Sequence, residues 1–138
     1  MQPIMDRPFA ATSLVDFWGR RWNRAYRRVS FEYFFRPSVR WFGPALGTLF
    51  AFTASGLIHE SVISWPAGAG YGGPTAYFAI QGLAVLLERA TPLRRLLRNP
   101  LCGWLYTALF VIGPAGLLFH APFLTRVIVP FLEMIGAR

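Results

Sequence analysis

Apolar positions along the chain follow two regimes. Between residues 13 and 29 they recur at spacings of three and four, as Leu14, Phe17, Trp18, Trp22, Ala25 and Val29. Arg20, Arg21, Arg24, Arg27 and Arg28 gather on the other side of the same helical wheel, so the pattern predicts a basic amphipathic helix with a tryptophan-rich face. Ser13-Leu14-Val15-Asp16 has capping-box spacing, with Asp16 in the place of the usual Glu or Gln, and sets the helix start near Ser13. From residue 41 onward, periodicity gives way to continuous apolar runs. Residues 41–64 contain His59 and Glu60 as their only ionisable groups, and a helix of that length would be about 36 Å long, enough to cross a bilayer with some tilt.

Two further runs follow. The stretch Trp65-Pro66-Ala67-Gly68-Ala69-Gly70-Tyr71-Gly72-Gly73-Pro74 is turn chemistry, and an uncharged run then extends to Leu87 with Gln81 as its one large polar side chain. Residues 88–100 carry Arg89, Arg94, Arg95 and Arg98 and read as a connection outside the hydrocarbon. A third run occupies 101–124, with a kink expected at Pro114. The expected fold class is therefore an all-α integral membrane protein in a single 1–138 domain. Residues 13–40 form an interfacial amphipathic segment, 41–64, 71–87 and 101–124 are membrane spans, and 125–138 is an interfacial helix or a partial fourth span. Gly43-Pro44 either kinks the first span or delays its start to Ala45.

Composition agrees with this class. The chain is 54% hydrophobic and 14% charged, more apolar than an ordinary soluble domain. All fourteen basic residues are arginine against six acids, for a net charge of +8. Such an excess suits nucleic acid, anionic lipid or an anionic substrate. The apolar runs favour the last two, and no nucleic-acid partner is expected. The arginine-rich segments, before the first span and at 88–100, are expected on the cytoplasmic side by the positive-inside rule. Cys102 stands alone, and the spacing of its Cys and His residues suggests no metal site. The first ten residues lack the apolar stretch of a cleaved signal peptide, so insertion is expected to rely on the internal helices.

The costly feature is Phe52-Thr53-Ala54-Ser55-Gly56-Leu57-Ile58-His59-Glu60, which puts an imidazole and a carboxylate inside a membrane run. Each ionisable group there costs about 2.5 to 3.5 kcal/mol on insertion scales and marks either a functional site or a helix-to-helix hydrogen bond. No second histidine follows one turn on to complete HExxH, and no GxSxG elbow is present. Ser55 lies four residues before His59 on the same helical face, whereas Glu60 is about 100° around the helix, so Glu60 is expected to meet an arginine or polar group on another helix. His120, at the far end of the third run, is assigned no role.

Read together, Asp16-Phe17-Trp18-Gly19-Arg20-Arg21-Trp22-Asn23 and the SGLxHE segment ending at Glu60 resemble the wax synthase-like branch of the membrane-bound O-acyltransferase family. The likeness covers residues 13 to 66 by motif, extends through the later runs by hydropathy, and matches the motif-bearing C-terminal portion of such enzymes. It implies acyl transfer from acyl-CoA to the hydroxyl of a long-chain alcohol or similar lipid, with His59 as general base and Asn23 assisting. Acyl-CoA is then a co-substrate, and no cofactor or metal is implied. Arg20, Arg21 and Arg24 are candidates for the CoA phosphates or for anionic headgroups, and Trp22, Ser55 and Glu60 for further substrate contacts. The second reading is a non-catalytic or truncated membrane subunit that needs a partner, another membrane subunit or further copies of itself, to complete the enzyme.

Overall fold

The computed structural model describes residues 4–137; the expectations for residues 1–3 and Arg138 lie outside it. The described residues are helical, without strands. After a 3-10 turn at Pro8–Ala10, α1 (Leu14–Asp16) opens on the Ser13 hydroxyl, which accepts from the Asp16 N–H at 3.0 Å, and continues as a π turn over Phe17–Arg21. The helix expected to run unbroken to residue 29 stops there. Trp22 is extended and Asn23 is left-handed at φ 38°, after which α2 (Arg24–Ser30) begins and passes through a π turn at Phe31–Phe35. Asn is among the few residues that tolerate this conformation. The backbone groups freed by the break are taken up by the amino-terminal segment: the Asp6 N–H donates to the Arg21 carbonyl and the Arg24 N–H to the Ile4 carbonyl, both at 2.9 Å.

α3 spans Arg36–Ala67 and is interrupted at Gly43, whose φ of 79° only glycine adopts readily. The chain folds back there: a Cβ on Gly47 would lie 2.5 Å from the Cα of Val39, eight residues away, which a straight helix holds about 12 Å apart. Pro44 starts the second arm, where its missing N–H costs nothing. His59 therefore lies about 22 Å along that arm from its start. α2 and the first part of α3 thus run back along residues 44–67.

α4 (Gly73–Arg89) packs along α3, crossing closely at Gly56, where a Cβ would come 2.8 Å from the Thr75 Cα. α5 (Thr91–Leu96) connects to α6 (Pro100–Ile112), and Gly113-Pro114 breaks the third run before α7 (Ala115–Leu118). Pro114 has no N–H for the Phe110 carbonyl, and Gln81 Nε2 donates to it instead; the Tyr77 hydroxyl donates to the neighbouring Val111 carbonyl at 3.1 Å. α8 (Ala121–Phe123), a π turn at Leu124–Ile128 and α9 (Val129–Met134) complete the chain.

Among the described residues, Arg24–Ala67 and Pro100–Leu118 are long and apolar enough to cross a membrane, though the first contains the reversal at Gly43. α4, with 17 residues, is at the short end of the crossing range. Two small clusters hold the helices together, Ile63, Ala67, Tyr77, Phe78, Leu118 and Phe123 in one and Leu14, Ala84 and Val85 in the other, with Trp18 and Phe52 packed against both. The outer faces of α3 and α6 are apolar and exposed, Leu57, Val62, Leu105 and Leu109 among them. A soluble protein would hide such continuous faces.

Candidate active site

The fold-back at Gly43 creates a cavity of about 390 Å³ between the two arms, roofed by α1 and walled by α4. Two helical faces supply its polar groups. From the first arm come Asn23, Tyr26, Arg27 and Ser30, at spacings of three and four, and from the second come Thr48, Ser55 and His59. Phe31, Phe35, Phe52, Phe78 and Val85 make the rest largely apolar, and Arg89 contributes a second cation from the end of α4.

His59 is half-buried, with its Nδ1 2.7 Å from the backbone carbonyl of Ser55. A carbonyl only accepts, so Nδ1 carries a proton, and in the neutral ring it is then Nε2 that has the lone pair. The ring is held by the Phe78 ring at a centroid distance of 4.4 Å and makes a T-shaped contact with the Tyr26 ring at 6.3 Å. Asn23 is fixed by its own helix: its Oδ1 accepts from the Tyr26 N–H at 3.1 Å, capping α2. That bond occupies the acceptor side of the amide and leaves its NH₂ to donate. His59 and Asn23, the two residues that the sequence motifs single out, thus line one cavity.

The remaining sequence candidates divide. Trp22 and Ser55 line the cavity, and the Ser55 hydroxyl is 3.4 Å from that of Tyr26. Arg20 is exposed and away from it. Arg21 pairs with Asp16 and donates to the Arg7 carbonyl at 3.2 Å, and Arg24 lies 4.0 Å from Asp6, neither lining the cavity. Glu60 turns to the neighbouring helix and accepts from the Gly72 N–H at 2.8 Å, the Thr75 N–H at 3.2 Å and the Thr75 hydroxyl at 2.8 Å. These donors belong to the residue just before α4 and to its first turn, so the carboxylate caps that helix from outside. Glu88 repeats the device, accepting from the Leu14 and Val15 N–H groups at 2.8 and 3.0 Å and so capping α1.

Tyr26, Arg27, Ser30, Thr48 and Arg89 were not candidates from the sequence. The recurrence 23, 26, 27, 30 is a signal that could have found four cavity groups, but it is hidden inside a helix whose many arginines draw attention to the opposite face. Gln81, fully buried, accepts from the Trp18 indole N–H at 3.2 Å while donating to Phe110, and so ties α1 to α4 and α6 over the cavity. His120 has the tautomer opposite to that of His59: Nδ1 accepts from the Phe123 N–H at 3.2 Å, and Nε2 lies 3.3 Å from the Ser64 hydroxyl, which itself donates to the Gly70 carbonyl at 3.2 Å. Both of its nitrogens are engaged.

Residues 1–80 match the model of the Membrane bound O-acyl transferase family. Among curated proteins, the chain is 32% identical to probable long-chain-alcohol O-fatty-acyltransferase 7 of Arabidopsis thaliana, over 86% of this chain and 39% of that protein. It is 33% identical to the long-chain-alcohol O-fatty-acyltransferase of Simmondsia chinensis, over 86% of this chain and 37% of that protein. A shorter match, 36% identical over 45% of this chain and 20% of that protein, is to acyl-CoA--sterol O-acyltransferase 1 of Arabidopsis thaliana. No solved structure matches. The chain spans about two fifths of the length of the long-chain-alcohol relatives it matches. Asn23 and His59 both fall within the family match, which takes in more than half of the sequence, and on this ground the chain belongs to the membrane bound O-acyl transferase family.

Proposed function

We propose that this chain carries the acyl-transfer centre of a membrane O-acyltransferase that moves a fatty acyl group from acyl-CoA to the hydroxyl of a long-chain alcohol or similar lipid. The observation that carries the reading is the hydrogen bond from His59 Nδ1 to the Ser55 carbonyl at 2.7 Å, which fixes the tautomer in which Nε2 is a base. Nε2 takes the proton of the acceptor hydroxyl as its oxygen attacks the thioester carbonyl. The Asn23 amide donates to the oxygen that becomes negative. Collapse breaks the carbon–sulfur bond, and the imidazolium returns its proton to the departing sulfur, giving ester and CoA with no cofactor. The aromatic walls take hydrocarbon. Arg27 and Arg89 take anionic groups at the cavity, and Arg20 meets CoA phosphate or anionic headgroups at the exposed surface. The names of the long-chain-alcohol and sterol relatives support an alcohol acceptor.

In this reading the arginine-rich first arm and the 88–100 connection face the cytoplasm, and the exposed apolar faces of α3 and α6 meet lipid or further helices, from another subunit or from additional copies. The test is ester formation from labelled acyl-CoA and hexadecanol in membranes containing the chain, with the wild type and His59→Ala compared at equal insertion. His59→Ala is expected to lower turnover at least about 100-fold. Equal turnover in the two proteins overturns the assignment.

A further inference from the structure

The cavity contains hydrogen-bonding capacity that the protein does not use. The Tyr26 and Ser55 hydroxyls, from opposite arms, are 3.4 Å apart, well beyond the 2.7 to 2.8 Å typical of a good hydroxyl pair, so each keeps most of its capacity for a third group. One turn further along α2, Ser30 Oγ is buried without a partner and lines the same cavity. Buried hydroxyls are rarely left this way unless a ligand or water completes them. The Tyr26–Ser55 pair is also tied to both proposed reacting groups. Asn23 Oδ1 holds the Tyr26 backbone, the Tyr26 ring makes a T-shaped contact with His59, and the carbonyl of Ser55 itself orients the imidazole. Around the pair the walls are Phe31, Phe52 and Phe78, which suit hydrocarbon and offer no competing polar group.

We infer that Tyr26 is a positioning residue for the acceptor: its hydroxyl, with that of Ser55, binds the hydroxyl of a long-chain alcohol beside His59. This rests on the acyl-transfer reading above. A primary alcohol oxygen accepts from the phenol O–H while its own proton remains available to His59 Nε2, so Tyr26 selects a hydroxyl over a hydrocarbon end without taking part in bond making.

Tyr26→Phe removes this hydroxyl while keeping the ring against His59 and the backbone N–H on Asn23. In membranes containing the full chain, the variant is expected to raise the KM for hexadecanol about fivefold to tenfold while the KM for acyl-CoA moves less than about twofold, and Ser55→Ala to shift it in the same direction. A purely structural role would move both constants together. Quenching of tryptophan fluorescence by hexadecanol and by hexadecane reads the same preference without turnover. Wild type should bind the alcohol more tightly than the alkane, and Tyr26→Phe should lose about fivefold of that preference. An unchanged preference in Tyr26→Phe overturns the inference, whether or not His59→Ala abolishes ester formation. Equal turnover of wild type and His59→Ala overturns the acyl-transfer reading instead.

Discussion

Asn23 Oδ1 accepts a hydrogen bond from the backbone N–H of Tyr26 at 3.1 Å, while the Asn23 backbone is left-handed at φ 38°. One residue therefore begins α2 after the break at Trp22 and also lines the cavity. Its structural and chemical roles reside on different atoms and can be separated.

Asn23→Asp keeps the capping oxygen and a residue type that tolerates the left-handed backbone, but has no N–H to donate. Thermal stability should stay within about 0.5 kcal/mol of wild type, while ester formation falls about 100-fold. Asn23→Ala loses the cap and strains the backbone, and calorimetry should show a cost of about 1 to 2 kcal/mol besides the lost activity.

Glu60 caps α4 and lies outside the cavity, so its removal should cost stability more than chemistry. Glu60→Ala leaves the Gly72 and Thr75 donors without their acceptor. Denaturation in detergent should show a loss of about 1 to 3 kcal/mol. Turnover normalised to folded protein should change less than about threefold, in contrast with His59→Ala.

Close helix contact makes Gly56 intolerant of a side chain. A Cβ there meets the Thr75 backbone at 2.8 Å, whereas one on Gly116 meets nothing within 4 Å. Gly56→Ala should push α3 from α4 at a cost of about 1 to 3 kcal/mol, and Gly116→Ala should not. The difference in melting temperature between the two variants checks this.

Gln81 stands in for the N–H that Pro114 lacks. Gln81→Leu orphans the Phe110 carbonyl and the Trp18 indole N–H, at about 1 to 3 kcal/mol each. In a Pro114→Ala background the carbonyl regains a helical donor, so the same substitution should cost less. A double-mutant cycle measured by thermal unfolding reads that coupling.

Local features were legible in the chain. Hydropathy runs, the Ser13 cap, the break at Pro114 and the cost of burying His59 depend on neighbours within a turn or two, and the sequence shows them directly. Asn23 and His59 were legible as a pair only through their two motifs, because 36 residues separate them and no spacing rule links the segments. The unbroken helix over 13–29 was misread because its arginine and apolar periodicity outweighs one Asn in a propensity argument. In the folded chain the Asn23 cap and the bonds from Ile4 and Asp6 offset the broken turn.

Tertiary structure alone decided what meets what. The reversal at Gly43 brings Tyr26 to Ser55 and turns one face of the arginine-rich arm into a cavity wall; Arg27 and Arg89 line the cavity, while Arg21 pairs with Asp16 and Arg24 lies 4.0 Å from Asp6 of the amino-terminal segment. Helix periodicity, readable from the sequence, points the adjacent side chains of His59 and Glu60 about 100° apart, and the neighbouring helices decide what each one meets. Sequence by itself determined that a histidine and a carboxylate stand together in a membrane-length helix; packing against α2 and α4 determined that the first lines the cavity and the second caps a helix.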